Sequence, residues 1–188
     1  MNNKTKIITL EYLLNILGVV GVFVLLFVAF LFQIVLKELP CPLCLLQRTG
    51  FLCVAIGFML NLRFGLRPSH YAISLISALF TSFAALRQVA LHVIPGTGAY
   101  GSPFLGLHLY TWSFIIGLAI VAGISFMLGL DNQYELNQVN QQPIRYPRMT
   151  NILFIGMIFF IGTNLVSTLL ECGFGLCPPD PVEYLWLS

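Results

Sequence analysis

The chain has 188 residues, of which 58% are hydrophobic and 9% are charged. Soluble domains are about half apolar and about one quarter charged, so this composition indicates a protein that lies in lipid. The formal net charge of +2 comes without any run of arginine or lysine, which argues against a nucleic-acid-binding surface. Because a membrane span needs about 20 apolar residues, the length predicts one helical bundle without a soluble domain.

Five long apolar runs follow one another along the chain, and each predicts one transmembrane helix. The first run is too long for the core of a cleaved signal peptide, and no cleavage site of small residues follows it. Glycine and proline mark the connections after the second and third runs. The five predicted spans cover residues 13–36, 43–62, 71–93, 110–130 and 151–170.

Two polar segments lie outside these spans. Residues 131–150 are dominated by Asn, Gln and two Pro, and we expect a loop outside the hydrocarbon because unpaired backbone groups are not tolerated in lipid. Residues 171–188 form an extramembrane tail with two cysteines. The whole chain, residues 1–188, is therefore predicted to be a single transmembrane domain of the all-α class.

The basic residues predict the orientation of this bundle. Six of the nine fall on one side of a five-span arrangement, namely Lys4, Lys6, Arg63, Arg67, Arg145 and Arg148. Positively charged loops stay in the cytoplasm, so we expect the N-terminus inside. Both close cysteine pairs then lie on the outer side, where disulfides persist.

The motif Cys41-Pro-Leu-Cys44 stands at the start of the second span. Two intervening residues let the sulfurs close a small, reducible ring, and the start of a helix favours a thiolate over a thiol. Zinc is the main alternative, but it needs about four ligands, which the remaining cysteines and three histidines do not offer at a suitable spacing. Incidental pairing is the third alternative, and we favour a redox-active pair.

Arg48 follows Cys44 by four residues, which places it one helical turn deeper on the same face. An arginine within a membrane span is costly and therefore indicates function, such as donating a hydrogen bond to a quinone carbonyl. The alternative is an arginine whose side chain extends to the nearby interface.

A second polar set consists of Arg87, Gln88 and His92 at the outer end of the third span. Gln88 and His92 are four residues apart and share one helix face. We expect the set to line a quinone pocket, although hydrogen bonds between helices would explain it equally well.

The second cysteine pair is Cys172-Gly-Phe-Gly-Leu-Cys177. Its two glycines permit a tight loop, so an intramolecular disulfide is geometrically plausible. Such a disulfide is either a structural staple or a shuttle that passes electrons to Cys41 by thiol exchange. The fifth cysteine, Cys53, lies half a turn out of phase with Cys44 and is expected to pack against neighbouring helices.

The stretch from Cys41 to Arg48, Cys-Pro-Leu-Cys-Leu-Leu-Gln-Arg, resembles the first outer loop of the DsbB family. Two further segments, 87–95 and 104–112, resemble that family around its third and fourth spans, so the resemblance extends over about residues 10–130. It implies a bacterial inner-membrane thiol oxidase with a four-helix core, to which this chain adds a fifth helix.

The resemblance also implies roles for individual residues. Cys44 would meet the ring of ubiquinone or menaquinone, and Cys41 would exchange with the second cysteine pair. Arg48 would orient the quinone, and Gln88 and His92 would flank it. The partner would be a periplasmic thioredoxin-fold dithiol oxidase similar to DsbA.

The chain departs from the family pattern in the position of the second cysteine pair. The family usually carries that pair between the third and fourth spans, but residues 93–109 contain no cysteine. Cys172 and Cys177 therefore resemble a relocated pair, and their shuttle role depends on topology alone.

Two other functions are consistent with parts of the sequence. Relatives of vitamin K epoxide reductase use a similar bundle to reduce a quinone-like substrate, although their active pair usually lies later in the bundle. A non-catalytic assembly or transport component would use its disulfides only to stabilise outer loops. Transport is disfavoured because no span has an acidic residue at its centre and no internal symmetry is apparent.

Overall fold

A computed structural model describes the chain over residues 3–94, 96, 98–130, 147–178, 181 and 183–186. For residues 3–9 the description extends to the backbone alone. The side chains of Lys4 and Lys6, the residue Arg145 and most of the predicted loop 131–150 therefore lie outside the described residues.

The described part of the chain forms five α-helices, each long and apolar enough to cross a membrane. Regular strands do not occur in these residues, where one isolated bridge joins Phe104 to Leu107. The predicted all-α bundle with five spans is confirmed. The helices are α1 (Asn3–Val35), α2 (Pro42–Phe64), α3 (Pro68–His92), α4 (Leu109–Leu128) and α5 (Pro147–Cys172).

Local sequence signals set the helix ends that carry the cysteines. Cys41 caps the start of α2, and Pro42 occupies the first turn, where the missing N–H of proline leaves no hydrogen bond unmade. At the other end of the chain, α5 ends at Cys172 because Gly173 adopts a left-handed φ of 59°. The helix thus extends two residues beyond the predicted span, and Glu171 and Cys172 belong to it rather than to the tail.

α2 is the central helix of the bundle. It packs against α1, α3 and α5, while α4 packs against α3. Close approach between α2 and α3 depends on small residues, as is usual in membranes. A Cβ added at Gly57 would lie 2.6 Å from the carbonyl oxygen of His70 and 2.9 Å from the backbone nitrogen of Ser74. A central helix has more positions shielded from lipid, so it can carry the polar residues of a site.

We call the end of the bundle where α2 and α4 begin and α1, α3 and α5 end the cysteine end. Two connections cover it and are tied to each other. Tyr100 donates a hydrogen bond of 2.6 Å to the carbonyl oxygen of Leu39, and the backbone nitrogen of Ser102 donates one of 2.9 Å to Glu38. These contacts hold the segment that precedes Cys41.

The opposite end carries a buried polar cluster and exposed cations. Asn61 donates to Asn15 at 3.0 Å, and Asn15 donates to Tyr71 at 2.8 Å, which ties α1, α2 and α3 together. The exposed cations that the structure describes at this end are Arg63, Arg67 and Arg148.

Substitution of Gly57 by Ala tests the close approach of α2 to α3. The added methyl group would meet backbone atoms that cannot move independently, so we expect a loss of about 1–3 kcal/mol in the free energy of unfolding. The measurement is unfolding of the purified protein in detergent. Gly162→Ala in α5, where no atom lies within 4 Å of an added Cβ, is the matched control. Equal stability of the two variants would contradict this packing.

Candidate active site

The two cysteines of the first motif lie side by side at the cysteine end. Their sulfur atoms are 2.7 Å apart, and the backbone nitrogen of Cys44 donates to the sulfur of Cys41 at 3.2 Å. Cys41 is buried, whereas Cys44 is partly accessible. The short Pro-Leu insert and the turn of the helix therefore bring the thiols within bonding reach of each other.

Gln88 on α3 holds this pair from the side. Its amide nitrogen donates to Cys41 at 3.1 Å and to Cys44 at 3.4 Å, and its side chain is 1% exposed. Gln47 donates to the amide oxygen of Gln88 at 2.8 Å, which fixes the orientation of the amide. The arrangement directs a buried hydrogen-bond donor at both sulfur atoms.

The two thiols are not equivalent. The hydrogen bond with Cys44 and then burial of the thiol raise the pKa of Cys41 above its ordinary value. Cys41 therefore keeps its proton at neutral pH when the pair is reduced. Cys44 lies in the first turn of α2, where the positive end of the helix dipole favours a negative charge.

Arg48 lies below Cys44 and is buried within the bundle, with 8% of its surface exposed. Its guanidinium donates to the side-chain oxygen of Gln33 at 2.6 Å and to the carbonyl oxygen of Ala29 at 3.0 Å. It also lies over the ring of Phe30, 4.7 Å from the centroid. Snorkelling to the interface is therefore not what the structure shows, because the charged group is bound by α1 within the protein.

A cavity of about 100 Å³ lies between α1, α2 and α4, below the connections of the cysteine end. Cys44, Arg48, Gln33 and Tyr110 line it, and most of its other walls are apolar side chains. A larger crevice of about 630 Å³ between α2 and α5 at the opposite end contains no cysteine. The chemistry of the lining side chains therefore favours the smaller cavity as the site.

The second cysteine pair forms a disulfide, with the Cα atoms of Cys172 and Cys177 separated by 4.4 Å. The tail beyond it folds back onto the bundle. The backbone nitrogen of Trp186 donates to the carbonyl oxygen of Leu170 at 3.2 Å. Further contact comes from Tyr184, whose hydroxyl accepts a hydrogen bond of 3.0 Å from Gln33. The tail thus lies at the cysteine end, next to a residue that lines the cavity.

Comparison with known proteins gives one match. Residues 11–100 match the family described as Disulfide bond formation protein DsbB. This range is just under half of the chain, and the match confirms the resemblance to the DsbB family that the sequence motif indicated. No curated protein and no solved structure matches the chain. The five helices indicate a multi-pass membrane protein, and the family that residues 11–100 match acts in disulfide bond formation.

The DsbB match has a defined extent along the structure. It runs from the first turns of α1 to Tyr100 in the connection before α4, and so includes Cys41, Cys44, Arg48 and Gln88. The resemblance of segment 104–112 and the whole of α5 lie outside it. The second disulfide is therefore a feature of this chain that the family match does not cover.

The structure brings together four of the residues that the sequence singled out, Cys41, Cys44, Arg48 and Gln88. The other two of the second polar set are placed differently. Arg87 is exposed and does not line the cavity. His92 contacts the carbonyl oxygen of Gly98 at 3.1 Å, and its ring packs on Tyr110 with 5.5 Å between centroids. His92 therefore reaches the cavity only through Tyr110.

Four polar residues near the site were not singled out from the sequence. Gln33 and Gln47 stand in apolar runs, and a polar side chain in a membrane span is itself a signal. Glu171 and Tyr184 were included in the tail without a role. Their proximity to Arg48 depends on how α5 and the tail pack, which no local pattern specifies.

Substitution of Gln88 by Leu, which keeps the volume but removes the donor, tests how this amide acts on the thiols. A hydrogen bond to a charged group contributes about 1.5–3 kcal/mol, so alkylation of Cys44 at neutral pH should slow on the order of tenfold. The measurement is labelling of the reduced protein with iodoacetamide, quantified by mass spectrometry. Gln47→Leu, which removes only the contact to Gln88, should slow it less. An unchanged rate in Gln88→Leu would exclude this role.

Proposed function

We propose that the chain is a protein-dithiol:quinone oxidoreductase that re-oxidises a periplasmic thiol oxidase and so supports disulfide bond formation. The observation that carries this proposal is that Cys44 and Arg48 line the same cavity. A reducible thiol pair and a hydrogen-bond-donating cation thus face one space. In this proposal, residues 1–188 act as a single transmembrane domain.

The residues around the cavity fit a quinone ring. Arg48 offers a charged donor for a carbonyl oxygen, and the aromatic side chains of Tyr110 and Trp112 also line the cavity. Ubiquinone or menaquinone bound there would supply a two-electron acceptor. The chain would bind the ring with apolar walls, orient it with Arg48 and present the sulfur of Cys44 to it.

Electrons enter, in this proposal, through the second disulfide. Cys172 is 4% exposed, whereas Cys177 is more accessible. A thiolate of a DsbA-like partner would therefore attack Cys177 and release Cys172. The partner's second thiolate would then break this mixed disulfide, which oxidises the partner and leaves Cys172 and Cys177 reduced. The reduced tail pair would then attack Cys41, release Cys44 as a thiolate, and leave the tail disulfide restored.

The charges support an orientation with the cysteine end in the periplasm. Arg63, Arg67 and Arg148 are exposed at the opposite end, and positively charged loops stay in the cytoplasm. The first helix would then begin inside, and the tail with Cys172 and Cys177 would lie outside. This topology would put both cysteine pairs on the periplasmic side of the bacterial inner membrane, where disulfides persist.

Quinone reduction by the purified protein, with a reduced dithiol as donor, tests whether the cavity beside Cys44 and Arg48 is the quinone site. Cys44→Ser should abolish turnover. Arg48→Gln should lower it on the order of 100-fold, since removing a positioned donor for a developing negative charge has about that effect. Cys53→Ser, at a free cysteine elsewhere on α2, is the matched control and should be unchanged. Full turnover in Arg48→Gln would place the quinone elsewhere, and no turnover in the unmodified protein would favour a non-catalytic role.

Trapping a mixed disulfide tests the entry point of electrons. A DsbA-like partner that retains only its attacking cysteine should become linked to Cys177 of the oxidised protein, as read by mass spectrometry. The variant with both Cys172 and Cys177 replaced by Ser should lose turnover with the partner. If that variant keeps full turnover, or if the partner is linked to Cys41, the tail disulfide is a structural staple instead.

A further inference from the structure

Glu171, in the last turn of α5, is a fully buried carboxyl that the proposed function does not use. Its exposed fraction is 0%, and neither carboxyl oxygen has a hydrogen-bond partner. A carboxyl group in this condition is costly within a membrane and indicates a specific role. It also lies outside the range of the DsbB match.

The surroundings of Glu171 connect it to the cavity. Ser167 is one helical turn earlier on the same face of α5, and its hydroxyl accepts a hydrogen bond of 2.8 Å from Gln33. Gln33 lines the cavity and also accepts the hydrogen bond of Arg48. Ser167 and Gln33 therefore join the face of α5 that carries Glu171 to the cavity.

Every element packed against this part of α5 contributes to the electrostatic environment. α2 presents Arg48 and Cys44, which are the charged or titratable groups that act on Glu171. The tail presents Tyr184, which acts on Arg48. α1 presents Gln33, which does not titrate. Among the groups that act on the Arg48 cation, Cys44 and Glu171 act most strongly.

A single cation favours a single anion in a space of low polarity. If Cys44 and Glu171 were ionised together, one cation would face two anions and a net negative charge would be buried, which desolvation makes costly. When Cys44 is in a disulfide it carries no charge, and Glu171 becomes the anion that balances Arg48. When Cys44 is a thiolate, a neutral Glu171 keeps the same balance.

We propose that Glu171 takes up a proton when the Cys41–Cys44 disulfide is reduced and releases it when the pair is oxidised. On reduction the S–S bond breaks and two electrons enter. Cys44 emerges as a thiolate, one proton goes to Cys41, and one goes to Glu171. On oxidation the S–S bond forms again, and the two electrons pass to a quinone.

When the Cys41–Cys44 pair is oxidised, two protons leave in the same step as its two electrons. The two protons held by Cys41 and Glu171 would leave together with the two electrons, so a bound quinone would be fully reduced and the charge beside Arg48 would stay constant. This part rests on the proposed function. Glu171 does not line the cavity, so it acts through its charge on Arg48 and not by contact with the ring.

The redox equilibrium of Cys41 and Cys44 against dithiothreitol tests the proposal without any quinone. Between about pH 6 and 8, below the pKa of free thiols, reduced dithiothreitol gives up two protons on oxidation. The unmodified protein takes up two, so its equilibrium constant should not change with pH. Glu171→Gln takes up one, so its equilibrium constant for reduction by dithiothreitol should rise tenfold for each unit by which the pH is raised. Alkylation followed by mass spectrometry measures the two cysteines separately from the tail pair.

Glu11→Gln is the matched control because Glu11 is also a carboxyl with 0% exposure, but it lies at the opposite end of the bundle. It should behave like the unmodified protein. A tenfold slope per pH unit in the unmodified protein, or the absence of a slope in Glu171→Gln, would overturn the proposal. An equal slope in Glu11→Gln would also overturn it, since the effect would not belong to Glu171.

Infrared difference spectroscopy of the unmodified protein keeps the proposal testable if Glu171→Gln fails to fold. Reduction should produce the carbonyl band of a protonated carboxyl group, and the absence of this band would overturn the proposal. Neither measurement includes a quinone. If the protein shows the predicted proton uptake but reduces no quinone, this inference stands and the quinone part of the proposed function is wrong.

Discussion

A guanidinium group inside a bilayer must obtain its partners from the protein, because lipid offers neither hydrogen bonds nor counter-charges. Arg48 meets this requirement through Gln33 and the carbonyl oxygen of Ala29 on α1. Gln33 in turn donates to Ser167 on α5 and to Tyr184 in the tail. One buried charge thus holds two other helices and the tail around the start of α2. The cavity beside Cys44 exists because α1 and α2 are joined at this point.

The fifth helix gives this chain partners that the matched DsbB region does not contain. The match ends before α4, so Ser167, Glu171 and the tail disulfide are additions to the region that carries the first cysteine pair. Ser167 and Glu171 are buried, and Ser167 contacts Gln33 on α1, whereas much of the remaining surface of α5 is apolar and exposed, as lipid contact requires. The extra helix therefore contributes both a second disulfide and a buried carboxyl to the same end of the bundle.

Most of the fold is predictable from the sequence because hydrophobicity is a local property. Twenty or so apolar residues form a helix in lipid wherever the chain goes next, since every backbone group must be paired. The five spans and the helix start at Cys41 follow from this rule and from Pro42. Helix ends depend on single residues as well as on polarity. α5 continues through Glu171 to Cys172 because Gly173, and not the change in polarity, ends it.

The site also has one part that local spacing predicts and one part that only packing between helices determines. The sequence by itself determined that Cys41, Cys44 and Arg48 share one face, because residues on adjacent turns of one helix are neighbours by geometry. Gln88 and His92 are likewise one turn apart on α3, yet Gln88 contacts the sulfur atoms whereas His92 packs on the ring of Tyr110. Only the tertiary structure decided this, since the rotation of each helix and its choice of neighbour depend on packing between distant residues. The approach of the fifth helix and the tail to Arg48 has the same origin.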